Sequence, residues 1–286
     1  MTFRKNFPLF ILLCAVLFSG NVFISRFSVS AESFMPFYDL KPQELVLRAE
    51  FYTTYSSSSD ERKSNIYLAA KSIDNVMIDA GGEFSFNRTV GQRTEKRGYK
   101  PAKIIVNGEF TDGVGGGVCQ VSTTLYNAFL VAGLRVTEYH PHSLAVSYIA
   151  LSFDAMVNSG SADLRCVNDT RNPIIIRATA DGDRLRIKIY GEPMKEKYIR
   201  KSVTIEELPP ETLLIKDDEG VYKDLFVGEK RVLSYGKKGY VTEGYLIKTV
   251  NGRKVSEKRI RKDRYASVKN VVIEGTFLPP DSGESP

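Results

Sequence analysis

A thiol, two imidazoles and a carboxylate are the side chains of this 286-residue sequence whose types and order suit covalent chemistry. Cys119 follows Gly115-Gly116-Gly117-Val118 and opens a segment in which Val121, Leu125, Ala128, Phe129 and Ala132 recur at helical spacing before Gly133. That pattern puts the sulfur at a helix N-terminus, where unpaired N–H groups and the helix dipole favour thiolate over thiol. Glycine loses more backbone entropy on folding than any other residue. A run of three is therefore expected where the chain turns sharply or approaches a ligand, and its amides are candidates to hold an oxyanion. The only histidines, His140 and His142, stand in His140-Pro141-His142-Ser143 at the end of a strand-like segment, Leu134 to Tyr139. Either can serve as base to the thiol. Asp154 follows, suited to orient an imidazole and equally to cap a turn. Gln120, Ser122 and Thr123 flank the sulfur. Substrate contact and helix capping are both open for them, and the thiol is a better nucleophile at neutral pH than either hydroxyl.

Two other readings of the same residues stand beside nucleophilic catalysis. Cys119 and Cys166 can pair as a disulfide outside the cell. Cys119, His140, His142 and Cys166 can gather a metal, although their spacing matches no zinc pattern. The expectation is no metal and no organic cofactor.

Several elements must position these groups. The first residues read as a signal peptide or membrane anchor over 1–31: Arg4 and Lys5 precede an apolar run from Phe7, and Val29-Ser30-Ala31 resembles a cleavage site. A linker over 32–50 follows. Tyr52-Thr53-Thr54-Tyr55 suits a strand. Ser58 and Glu61 have capping-box spacing before a helix lined by Ile66, Ala69, Ala70, Ile73 and Met77 and ended by Gly81-Gly82. Phe84 to Asn87 alternates as a strand, and Arg88 to Lys100 reads as a surface loop. Lys103 to Phe110 reads as a hairpin around Asn107-Gly108. Val146 to Leu151 and Leu164 to Val167 are strand-like. Ile174 to Thr179 and Leu185 to Tyr190 flank Asp181-Gly182 as a hairpin. From about Tyr198 the chain turns charge-rich and strand-rich: Val203–Leu208, Leu213–Lys216, Lys230–Ser234, Gly244–Val250 and Ser267–Glu274. Lys254, Lys258, Arg259, Arg261, Lys262 and Arg264 form a basic stretch, read either as a solvated face or as a hold on an anionic wall. Residues 277–286 read as a disordered tail. Formal net charge is +6 with 26% charged and 42% hydrophobic residues, an ordinary folded composition with no nucleic-acid module.

Phe84-Ser85-Phe86-Asn87, Gly91, Gly98-Tyr99, the block from Gly115 to Ala128, His142-Ser143, Asp154-Ala155 and Asp163-Leu164 with Asn168 resemble the VanW family. Gly228, Gly236, Gly239, Gly252 and Gly275-Thr276 resemble the pattern of the G-five domain. The resemblance implies an α+β catalytic VanW domain over 51–193 followed by a small all-β G-five domain over 198–276. It implies a bacterial protein at the cell wall, secreted or membrane-anchored, and L,D-transpeptidation of peptidoglycan. Cys119 then acts as nucleophile, His142 as base, Asp154 as orienting residue, and amides around Gly117 and Val118 as oxyanion donors. The implied partners are peptidoglycan stem peptides, wall glycan through the C-terminal domain, and the membrane through an uncleaved leader. Family members often carry Pro and Gly shortly before the Asp-Ala pair. This chain has Ala150-Leu151-Ser152-Phe153 there, so the loop bearing Asp154 is expected to differ. A non-enzymatic wall-binding protein linked to glycopeptide resistance is the alternative, with the glycine loop as a ligand cradle.

Overall fold

A computed structural model describes residues 45–278 apart from residue 107, and all of these fall in one compact unit. The leader, the linker up to residue 44, the Asn107 half of the first Asn-Gly turn and the tail from residue 279 lie outside the described residues.

In chain order the first elements are β1 (Val46–Thr54), α1 (Asp60–Ile73), β2 (Val76–Ile78), β3 (Glu83–Ser85), α2 (Phe86–Val90), β4 (Pro101–Val106), β5 (Glu109–Val114), α3 (Val118–Val131), β6 (Arg135–Glu138), β7 (Arg165–Val167), β8 (Ile174–Ala180) and β9 (Arg184–Gly191). Strands alone follow: β10 (Glu196–Leu208), β11 (Thr212–Lys216), β12 (Lys230–Ser234), β13 (Gly239–Val250), β14 (Arg253–Tyr265) and β15 (Asn270–Glu274). The described residues are thus mostly strand, and all three α-helices precede residue 132.

One antiparallel sheet, ordered β1-β9-β8-β2, carries α1 and α3 on one face. Its strands alternate as a half-covered sheet requires. Ile174, Ile176, Ala178, Leu185, Ile187 and Ile189 point inward, while Arg177, Thr179, Arg184 and the residues between point outward. A second sheet, β3-β7-β6, and the β4-β5 hairpin complete this half. The helix α1 is shorter than its apolar periodicity suggests. Its cap is Ser59, accepting from the Arg62 N–H at 3.3 Å, not Ser58. It stops at Ile73 because Asn75 turns left-handed (φ 62°) and donates to the Ile176 carbonyl at 2.8 Å, drawing the chain onto the sheet edge. Met77 therefore lies on β2, 57% exposed, not on the helix face. The Phe84–Asn87 strand also ends early. The Ser85 hydroxyl accepts from the Arg88 N–H at 3.1 Å and so caps α2, which places a helix where a surface loop is expected.

The helix α3 is buried on nearly every side, although Val121, Thr123 and Thr124 are poor helix formers. Burial decides the matter, as it does for most helices in proteins. Its C-terminus closes on Gly133 (φ 71°): the Leu134 N–H donates to the Phe129 carbonyl at 3.0 Å and the Gly133 N–H to that of Leu130 at 3.1 Å.

The C-terminal strands form two sheets, β10-β13-β14 and β11-β15-β12, with β11 and β15 parallel. Asn251 and Gly252 both take positive φ and join β13 to β14 in a two-residue turn. The strand β14 is the element that the basic composition hides. The long sheet packs against α3 and the segment after β6: the Arg200 guanidinium donates to Asn127 Oδ1, and the Tyr139 hydroxyl to the Ile260 carbonyl at 3.2 Å. The expected strand at Val146–Leu151 does not form. Its end is drawn to the C-terminal sheet instead, where the Ser152 hydroxyl and the Thr242 hydroxyl lie 2.6 Å apart.

Candidate active site

The start of α3 is fixed by close packing. Gly117 occupies the N-cap in a left-handed conformation (φ 107°) with no side chain to cap with. A Cβ on Gly116 would lie 2.8 Å from the Ala102 backbone, and one on Gly117 would lie 3.0 Å from Arg62 and Ile66. Both glycines are buried against the protein itself, so they are not open to a ligand. The Val118 N–H donates to the Gly115 carbonyl at 3.1 Å, which spends the donor expected to serve an oxyanion. The Gln120 N–H likewise donates to the Gly117 carbonyl at 2.9 Å, so the Cys119 N–H is the first-turn amide left as a candidate oxyanion donor.

The polar residues after Cys119 act on a loop far along the chain. The Ser122 hydroxyl donates to the Ala155 carbonyl at 2.6 Å, the Ala155 N–H donates to the Thr123 hydroxyl at 2.9 Å, and the Asn127 amide donates to the Phe153 carbonyl at 2.7 Å. Asp154 is thus held on both flanks by α3. Gln120 is 1% exposed; it donates to the Thr54 carbonyl at 2.9 Å and accepts from Arg62 at 3.0 Å, tying α3 to β1 and α1. These four residues are packing and positioning groups.

This frame brings Cys119, His142 and Asp154 together. Asp154 Oδ2 accepts from the His142 backbone N–H at 2.6 Å and lies 2.7 Å from Nδ1. With Nδ1 carrying the proton toward the carboxylate, Nε2 is left to serve the sulfur. The His142 imidazole lies beside the Cys119 sulfur, which in its thiol form donates to the Val157 carbonyl at 3.3 Å. Asp154 and His142 are buried, at 1% and 6% exposed, while Cys119 is half-buried. Burial works against charge on all three, and their mutual contacts outweigh it. Desolvation alone would raise the Cys119 thiol, but the nearby His142 and the Arg93 guanidinium hold it below its ordinary value. Desolvation pulls His142 down, but Asp154 and Cys119 carry it up to about 9. Asp154 is held below the usual carboxylate range by His142, Arg261 and Tyr265 despite burial.

His140 stands apart, its Nε2 3.0 Å from Glu138 Oε1. Cys166 is buried on β7 and free, so no disulfide forms; burial raises its thiol, which makes it inert. Among the described residues no group of three or more His, Cys, Asp or Glu side chains is placed to hold a metal.

Four side chains join the site that spacing does not reveal. Arg93, from the stretch read as a surface loop, donates to Asn87 Oδ1 at 2.6 Å, while its buried Nε has no partner. Burial lowers its guanidinium, and the Cys119 and Asp163 charges act against that. Burial and the Cys119 charge raise the Tyr148 hydroxyl, so it stays protonated near the sulfur. Arg261 and Tyr265 reach Asp154 from β14. One signal for them exists: Arg261, Asp263 and Tyr265 alternate with exposed Lys262 and Arg264 at strand period. Two residues beyond His142, Leu144 enters an open groove of about 380 Å³ shared with Phe110, Tyr240, Lys237 and Lys238.

Residues 61–190 match the family model described as VanW like protein, and residues 199–276 match that of the G5 domain. The chain is a VanW domain followed by a G5 domain. Cys119, His142 and Asp154 all lie within the VanW match, whereas Arg261 and Tyr265 lie within the G5 match. The uncharacterized protein YoaR of Bacillus subtilis (strain 168) is 43% identical over 152 residues, 53% of this chain and 50% of its own. The vancomycin B-type resistance protein VanW of Enterococcus faecalis (strain ATCC 700802 / V583) is 28% identical over 158 residues, 50% of this chain and 58% of its own. The chain therefore spans about half the length of these curated relatives. Two solved G5 domains, of HP0197 and of IgA1 protease, share 18% and 25% identity with TM-scores of 0.18 and 0.20. They cover 29% and 30% of this chain, and the matches span 100% and 99% of theirs.

The VanW site carries its own pH signature. The thiolate forms below the ordinary thiol range, and the imidazolium persists to about 9. Alkylation of Cys119 by iodoacetamide, followed by intact mass, is expected to remain fast well below the free-thiol pKa of about 8.5. His142→Ala is expected to move the midpoint up to that value. Unchanged midpoints in the two proteins would show that the imidazole does not act on the sulfur.

Proposed function

We propose that the chain is a cysteine-dependent L,D-transpeptidase acting on peptidoglycan outside the cytoplasm. The carrying observation is the Asp154–His142–Cys119 cluster, with its carboxylate and imidazole buried and Cys119 only partly buried. The presence of VanW and G5 domains is consistent with a protein associated with the cell wall.

The thiolate of Cys119 attacks the carbonyl of the third residue of a donor stem tetrapeptide, forming a C–S bond and a tetrahedral oxyanion. The Cys119 amide at the first turn of α3 and the Tyr148 hydroxyl are the donors for that oxygen; a preorganised donor of this kind contributes roughly 3 to 4 kcal/mol. The C–N bond to the terminal D-alanine breaks, and the His142 imidazolium gives its proton to the departing amine. A side-chain amine of a second stem then attacks the thioester, His142 takes the amine's proton, and the C–S bond breaks to restore the thiolate. Water in place of the amine gives carboxypeptidase activity. No step draws on a redox or nucleotide co-substrate. Arg93, a half-buried cation near the sulfur whose buried Nε has no partner, receives the carboxylate of the terminal D-alanine.

The test is incubation of the protein with disaccharide-tetrapeptide and mass spectrometry of the products. A cross-linked dimer lacking one D-alanine is expected. A donor whose terminal carboxylate is amidated should react with KM raised about tenfold or more, the loss of one charge-assisted hydrogen bond. Intact peptidoglycan retained without any turnover would overturn the reading. It would favour a wall-binding protein using the groove of Phe110, Tyr240 and Lys237, in which the Lys237 ammonium lies 5.3 Å from the Phe110 ring.

A further inference from the structure

The two carboxylate oxygens of Asp154 are divided between the domains. Oδ2 serves His142, in the VanW domain. Oδ1 accepts from the Tyr265 hydroxyl at 2.6 Å and from the Arg261 guanidinium at 3.2 Å, both in the G5 domain. A second Arg261 nitrogen donates to the Asp154 main-chain carbonyl at 2.6 Å, and Nε donates to Asp263 Oδ2 at 2.6 Å. The guanidinium lies 4.7 Å from the Tyr139 ring centre and is 1% exposed. The Tyr265 oxygen accepts in turn from the Ser152 N–H at 2.9 Å. Gly244 on β13 leaves room for this loop, since a Cβ there would lie 2.9 Å from the Ser152 carbonyl oxygen. Surface ion pairs contribute little, but these groups are out of water, and an acceptor left unpaired there is costly.

We propose that the G5 domain is a structural part of the VanW catalytic site. Arg261 and Tyr265 are positioning residues that fix the rotamer and the charge of Asp154, and through it the orientation of His142. The basic composition of β14 therefore serves two ends, because Arg261 faces the relay while its neighbours face solvent. Only the turnover part of this inference rests on the acyl-transfer reading.

The experiment compares full-length wild type with Tyr265→Phe, which removes one hydroxyl, and Arg261→Lys, which keeps the charge and loses the fork. Lys254→Ala, on an exposed part of the same strand, is the control. The pH profile of Cys119 alkylation is measured beside kcat and KM on disaccharide-tetrapeptide. Both variants are expected to move the alkylation midpoint up toward a free thiol. They should lower kcat on the order of 10- to 100-fold, the usual effect of losing an outer-shell partner, with KM unchanged. The control should match wild type. A Tyr265→Phe protein with a cooperative thermal transition and wild-type midpoint and kcat would overturn the inference, since a merely structural contact lowers the transition temperature alone. If Arg261→Lys does not fold, Tyr265→Phe decides. If wild type does not turn over the tetrapeptide, the alkylation profiles still decide: a shifted midpoint upholds the clamp while transpeptidation falls, and an unshifted one removes the clamp.

Discussion

A Cys119→Ala protein is expected to form no thioester and no cross-linked dimer from disaccharide-tetrapeptide, a loss on the order of 10⁴-fold or more in kcat, as for other enzymes deprived of a nucleophile. The fold should survive. Desolvation opposes the Cys119 thiolate, but His142 and Arg93 favour it on balance, so alanine removes a charge that the fold holds and takes a partner from His142. The thermal transition should fall modestly while remaining cooperative. Serine at the same place should be nearly as inactive, because a hydroxyl is not ionised by the field that ionises the thiol. Dimer formation persisting in either variant, at any rate above one per cent of wild type, would remove the sulfur from the mechanism and send the search to Ser122 or Thr123. Their bonds to Ala155 make that a poor second choice.

Asp154→Asn is expected to combine a catalytic and a stability defect. The amide cannot hold the imidazolium by charge, so His142 loses the share of its elevation that Asp154 supplies, and Cys119 loses part of what lowers it. By analogy with orienting aspartates elsewhere, kcat should fall on the order of 10⁴-fold. The same change leaves Arg261 with Asp263 as its one remaining carboxylate, beside its bond to the residue-154 main-chain carbonyl, and an imidazole without its charge partner inside the seam between the domains. Removing one partner of a buried pair costs roughly 3 to 5 kcal/mol, measurable by urea denaturation. The pH dependence follows from the depressed carboxylate. Its stabilisation is present above the unfolded carboxylate pKa of about 3.9 and is lost as pH falls through the lower folded value. Wild type should therefore lose stability on acidification below that range more steeply than the asparagine variant. Equal acid slopes would mean that the carboxylate is not held ionised in the folded protein.

Much of the local structure was written in short stretches of sequence. The apolar spacing of Val121, Leu125, Ala128 and Phe129 specified α3, and Gly133 its end. The β8–β9 hairpin, with Asp181 and Gly182 between its strands, follows from alternation and turn chemistry alone. Boundaries set by distant partners were not legible. The N–H of Asn75 is taken by Ile176, more than a hundred residues on, and that bond, not Gly81-Gly82, ends α1. The glycine run was recognised by its backbone cost, but its reason differs: the loop is pressed against Ala102, Arg62 and Ile66 rather than against a ligand.

By itself, then, the sequence singled out Cys119 as the candidate nucleophile, the helix that presents it, and a C-terminal part whose described residues are built from strands alone. Those properties depend on residues within a turn or two of one another. The choice of His142 over His140 and the support of Asp154 were decided by tertiary structure. The loop 139–157 crosses the start of α3, and the inner face of β14 closes over it, so one carboxylate is shared by groups more than a hundred residues apart. Such a carboxylate is ionised and rigid only where all its acceptors are filled, and the chain fills them by bringing its two halves into contact.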